Sequence, residues 1–210
     1  MERRSSSYIL LVILTVMCAG SAGCLSTLFG QAPHYNATTP VATPATESPV
    51  ALLPAADMAL QLSDMPSDYI LRDRTAIAYA GVSQLFRDLG WRQGYQVSYY
   101  RMDKDLGEIT GIIQEINVYP PDNIREVYEL EKEALVPPED NATGYQVPFP
   151  LQGDRSIAWR ETRGSGYSTI VTYTVMFTKK NVYEKISMTG TATDYETLKD
   201  LVQRSVARIR

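Results

Sequence analysis

The sequence predicts an α+β domain, a mostly antiparallel sheet layered with helices. Three observations carry that expectation. Segments 95–102, 108–119, 156–161, 168–178 and 182–189 are rich in β-branched and aromatic residues and are separated by turn-forming sequence, the pattern of strands. Val82, Leu85, Phe86 and Leu89, and later Tyr195, Leu198, Leu201, Val202 and Ile209, recur at helical spacing. Setting aside an atypical N-terminal segment leaves about 155 residues, enough for one domain that buries roughly 70% of its unfolded surface.

The elements follow in order. After the Asp64-Met65-Pro66-Ser67 turn, Tyr69-Ile70-Leu71 begins a strand, and the 82–89 helix ends at Gly90, where a left-handed cap is expected. Residues 95–102 and 108–119 form a hairpin around a polar segment ending in Gly107, and Pro120-Pro121 stops its second strand. Asn123 with Glu126 reads as a capping pair opening a helix to about Leu135. Residues 137–154 read as a loop of Pro, Gly and acidic residues. Three strands then form a meander, turning at Gly164-Ser165-Gly166 and Lys179-Lys180-Asn181, before a last helix capped by Thr193 with Glu196. Arg204, Arg208 and Arg210 suit the negative end of that helix. The order is β-α-β-β-α-β-β-β-α, with no internal repeat.

The N-terminal segment sets location. Arg3 and Arg4 precede the uncharged run Tyr8 to Ala19, then Gly20-Ser21-Ala22-Gly23 and Cys24, the layout of an export signal. Ala22-Gly23-Cys24 resembles the lipobox of bacterial and archaeal lipoproteins, although Ser21 stands where that family usually has leucine. The resemblance implies lipidation at Cys24. An uncleaved anchor helix is the competing reading, because no charge interrupts residues 8–29; a secreted soluble protein is the third. Residues 1–24 are thus leader or anchor, 25–54 a disordered Thr/Pro/Ala-rich stalk, and 55–210 a single extracytoplasmic domain. Asn36 and Asn141 each open an Asn-X-Thr glycosylation sequon.

Composition narrows the chemistry. Of the 20 Lys+Arg only Arg3 and Arg4 precede residue 51, and of the 24 Asp+Glu only Glu2 and Glu47, so the net charge of −4 belongs to the domain. That balance argues against nucleic acid as partner. Cys18 and Cys24 are the only cysteines and His34 the only histidine, so residues 55–210 hold no disulfide, thiolate nucleophile or histidine base.

The element order, with Val182 to Ser187 followed by Asp194 to Arg210, resembles the PsbP-like fold. The whole layout, with Asp88-Leu89-Gly90-Trp91 at a helix end, also resembles uncharacterised archaeal surface lipoproteins. Members of the PsbP-like group are generally non-enzymatic accessory or binding proteins, often at membranes, so the resemblance implies a binding or assembly role.

No residue pattern points to catalysis, a metal or a cofactor. Asp103, Asp105 and Glu108 lack the glycine position and closing acid of a calcium loop. Glu108 and Glu115 lie seven residues apart and face opposite sides of a strand, more than about 20 Å apart, too far for a glycosidase pair. Arg163-Gly164-Ser165-Gly166 is followed by no helix and reads as a turn. The 14 tyrosines are the compositional oddity: Tyr99, Tyr100, Tyr167, Tyr173 and Tyr183 fall on or beside strands and are the candidate ligand-binding face. Trp91 and Trp159 read as core. The expectation is a membrane-anchored, non-catalytic binding or assembly module at the extracytoplasmic face, held by an N-terminal lipid or anchor helix and meeting an envelope protein. The alternatives are a small-molecule carrier or sensor with a pocket between sheet and helices, and a carboxylate-dependent hydrolase.

Overall fold

The computed structural model describes residues 53–210 apart from 104–106, 136–142 and 167–168. Cys24, Asn36, Asn141 and Tyr167 therefore lie outside the described residues, as do the leader and nearly all of the stalk. Along the chain run α1 (Ala55–Met58), β1 (Ile70–Ala76), α2 (Gln84–Asp88), β2 (Gln93–Asp103), β3 (Glu108–Val118), α3 (Ile124–Ala134), β4 (Thr143–Val147), β5 (Arg155–Arg163), β6 (Ile170–Lys179), β7 (Val182–Gly190) and α4 (Tyr195–Arg208). The strands form one antiparallel sheet in the order β1-β2-β3-β7-β6-β5-β4. This is the α+β layered sandwich expected from the sequence.

Strand alternation sends successive side chains to opposite faces, and helices cover both. On one side Ile112 and Ile116, Val175 and Phe177, and Val182, Ile186 and Met188 pack beneath Leu198, Leu201 and Val202 of α4, with Met58 and Leu60 from the α1 segment. On the other, Ile157, Met176 and Tyr183 pack with Val127 and Tyr128 of α3 and with Leu89 and Trp91 at the end of α2. Each fully buried side chain of this size contributes about 1.5–3 kcal/mol, so the two cores hold the helices to the sheet.

Local chemistry explains the ends. Gly90 takes φ +79°, and the bonds from Gly90 N to Arg87 O (2.8 Å) and Trp91 N to Phe86 O (3.1 Å) close α2 in a Schellman pattern. Two caps differ from expectation. Asn123 makes no capping bond; its Nδ2 donates instead to Leu89 O at 2.9 Å, tying the start of α3 to the end of α2. Asp194, one residue past Thr193, caps α4: its carboxylate accepts from Glu196 N (3.0 Å) and the Thr197 hydroxyl (2.6 Å). Those bonds, the Thr197 hydroxyl foremost, hold the Asp194 carboxyl below its ordinary range. This support is therefore present above the usual carboxylate range and lost as pH falls through the lowered value. Replacing Asp194 with Ala should lower unfolding free energy by about 1 kcal/mol, read from urea midpoints at neutral pH.

Two elements escaped the sequence reading. The stretch expected to be a loop contains β4, an edge strand bonded only to β5. α1 is a single turn, too short to show periodicity, yet Ala55, Met58 and Leu60 are buried. The helix expected at 82–89 is also shorter, and Leu85 stays exposed while Val82 and Phe86 pack inward. The basic end of α4 acts through contacts: Arg208 pairs with Asp64 at 2.6 Å and Arg204 donates to Asp64 O at 3.1 Å.

Candidate binding surface

The five candidate tyrosines do not share a face. Tyr99 and Tyr183 are 1% exposed, one on each side of the sheet. Tyr99 donates to Leu60 O at 2.7 Å, and Tyr183 donates to Glu131 at 3.0 Å. Burial first, and Glu131 next, push the Tyr183 phenol well above its ordinary pKa. Both rings belong to the core. Tyr100 and Tyr173 are half-buried but lie on opposite sides, Tyr100 on the α3 side and Tyr173 on the α4 side. Trp91 is core as expected, with its indole donating to Asn117 Oδ1 at 2.7 Å. Trp159 is only half-buried, on the α3 side, and its Nε1 finds no acceptor among the described residues.

The α3 side is left partly bare by simple geometry. An 11-residue helix spans about 16 Å, whereas the 11-residue strands β2 and β3 run about 36 Å. α3 and α2 cover the end of the sheet that holds Tyr183, Asn117 and Gly94. A polar belt follows, where Lys185 pairs with Glu131 (3.3 Å) and Glu115 (3.7 Å). Beyond the belt no described helix lies over the sheet.

That uncovered half is apolar at one corner and hydroxyl-rich at the centre. Register places Ile70 beside Tyr100, Met102 beside Ile109, and Ile113 between Ser98 and Ser187, all on this side. Ile170, at the start of β6, lies on the same side. Ile70, Met102, Ile109, Ile113 and Ile170 are 44–52% exposed, a set of large apolar side chains gathered on one side of the sheet. Gly111 sits between Tyr100 and Thr189 and leaves a dip. An open cavity of about 500 Å³ adjoins it, lined by Leu71, Arg72, Tyr100 and Ile109. Thr172 with Thr189, and Thr174 with Ser187, pair their hydroxyls at 3.0 Å and satisfy one another.

Glu115 and Glu131 converge, but on Lys185 and away from the open cavities at 71–109 and 146–158. Among the described residues no three His, Cys, Asp or Glu side chains are placed to hold a metal. No helix residue lines either cavity, so neither is the sheet-to-helix pocket that a carrier would use. The sequence reading missed the isoleucines because each sits alone in an ordinary strand pattern; only register gathers them.

No family model matches the sequence, and the comparison with curated proteins finds no match. Among solved structures the chain is similar to the extracellular domain of PknH from Mycobacterium tuberculosis, with a TM-score of 0.55 and 10% identity over 72% of this chain and 92% of that one. A putative uncharacterised protein from Mycobacterium smegmatis aligns over 74% of this chain and 96% of its own, with 14% identity and a TM-score of 0.41. The PknH likeness establishes a shared fold; at this identity it carries no residue role.

Proposed function

We propose that this chain is a membrane-anchored, non-catalytic binding or assembly module of the cell envelope, docking a partner protein on the uncovered half of its sheet. The observation that carries the reading is the set of exposed side chains Ile70, Met102, Ile109 and Ile113 around Tyr100. A sheet face of this composition gains stability when another apolar surface removes it from water. The leader ending at Cys24 and the Thr/Pro-rich stalk support an extracytoplasmic placement, and a surface lipoprotein fits the whole layout. A fold shared with an extracellular domain supports the same placement. Among the described residues no helix is long and apolar enough to cross a membrane, so the reading assigns anchoring to the leader.

The test uses the full-length chain in intact membranes with a photo-reactive amino acid at Ile113. A discrete cross-link to an envelope protein is expected, and Ile109→Asp should cut its yield about tenfold, as loss of a central apolar anchor does. Ile109 is half exposed, so the substitution should cost the fold about 1 kcal/mol or less. A cross-link to a second copy of this chain, or none above that from a probe at exposed Asp88, would refute docking on this face. Recovery of an unmodified chain with the cytosolic solubles would refute the anchoring.

A further inference from the structure

The other side of the sheet carries a separate constellation at the β4–β5–β6 end. Register aligns Tyr145, Arg160 and Tyr173 in one row across three strands. The Arg160 guanidinium lies over both rings, 5.6 Å from the centroid of Tyr145 and 5.8 Å from that of Tyr173. Its Nη1 donates to the Tyr145 hydroxyl at 3.1 Å and its Nε to the Tyr173 hydroxyl at 3.3 Å. Tyr195, at the start of α4, stacks on Tyr173 at 4.8 Å. Arg160 is only half-buried and forms no ion pair with any described carboxylate.

The hydrogen-bond inventory of this clasp is one-sided. A guanidinium has five N–H donors and no acceptor, and two of Arg160's are used. Each phenol oxygen already accepts from Arg160, while each phenol proton has no acceptor among the described residues. Three N–H and two O–H groups of one row therefore have no bond within the described residues. The nearby carboxylates are committed elsewhere: Asp194 caps α4, and Glu196 pairs with Lys199 at 2.6 Å. Lys199 itself sits 5.2 Å over the Tyr195 ring while paired with Glu196.

From this surplus of donors we infer that the Arg160 clasp is a binding site for an oxyanion, a carboxylate or phosphate group on a small ligand. A planar guanidinium edge meets two oxygens of such a group at once, and the phenol protons supply the remaining bonds. Tyr145, 47% exposed, offers flat apolar surface to whatever ring or chain bears the anion. The site lies on the opposite side of the sheet from the isoleucine face and does not depend on it.

The test titrates the full-length chain, in neutral maltoside micelles and amine buffer, with inorganic phosphate, glucuronate and uncharged glucose. Heat of binding and the ring-proton shifts of Tyr145 and Tyr173 are followed together. Saturable binding of at least one anion, with both rings shifting and glucose silent, is expected. Arg160→Gln should weaken it at least about tenfold and Tyr173→Phe by a smaller factor, in keeping with loss of charge-assisted and neutral bonds respectively. A preference for phosphate or for glucuronate assigns the source of the oxyanion. Binding that survives Arg160→Gln unchanged, or no saturation by either anion in the parent chain, overturns the inference; the second readout needs no variant to fold.

Discussion

Between pH 5 and pH 8 the domain should lose about 3 kcal/mol of stability that a Glu184→Gln variant keeps. Glu184 is fully buried on the α4 side of β7. Its Oε2 accepts from Gln114 Nε2 at 2.9 Å and from the Ser205 hydroxyl at 2.5 Å, and its Oε1 has no partner among the described residues. The groups facing it from β3, α4 and the α1 segment are Gln114, Ser205 and apolar side chains, with no cation among them. Burial pushes its pKa from 4.5 up to about 7, against the opposing pull of the two hydrogen bonds. The folded state thus holds this proton more tightly than the unfolded chain. Stability is full below about 4.5, falls as pH rises towards 7, and levels off above it. At 1.36 kcal/mol per pKa unit the interval amounts to about 3 kcal/mol. Urea unfolding of both proteins across this range reads the difference directly, since every other group is common to both. Parallel pH profiles would show that Glu184 is ionised in the fold or that water reaches it.

Gly190→Ala should be the most damaging single-methyl change in the sheet, costing about 3 kcal/mol, at the upper end for a point substitution. Gly190 ends β7 and faces Thr110 of β3 on one side and Val171 of β6 on the other. A Cβ there would stand 2.0 Å from Ile109 O and 2.8 Å from Thr110 Cα. Both are backbone atoms of the strand to which β7 is bonded, so relief requires separating β3 from β7 at the centre of the sheet. Gly111→Ala is the matched control. Its nearest atoms would be 3.9 Å away, and trading strand glycine for alanine should be neutral or stabilise by about 0.5–1 kcal/mol. Thermal unfolding of the pair checks the contrast; equal midpoints would mean that the β7 end yields without cost.

Much of the fold was legible because its signals are local. The Gly90 cap depends on one φ angle and on carbonyls within one turn, and the meander turns depend on residues adjacent in sequence. β4 was not legible because a five-residue edge strand bonded on one side has little composition of its own. Asn123 was misread for a related reason: the signature of a cap was present, but the Leu89 carbonyl, 34 residues away, took its side chain.

The candidate sites divide along the same line. Residue chemistry alone determined a body without cysteine or histidine, an alternating helix and strand pattern, and a surplus of tyrosine. Only the folded sheet decided which tyrosines meet water. Tyr99 and Tyr100 are neighbours in sequence, yet the pleat sends one to the core and the other to the surface. Arg160 acquired its two phenols from strands 15 residues before it and 13 after it, and the isoleucines became a patch through pairing across five strands, from β1 to β6. Composition and short-range spacing travel with the chain, whereas a surface is made by contacts between distant segments, and those exist only once register and layer order are set.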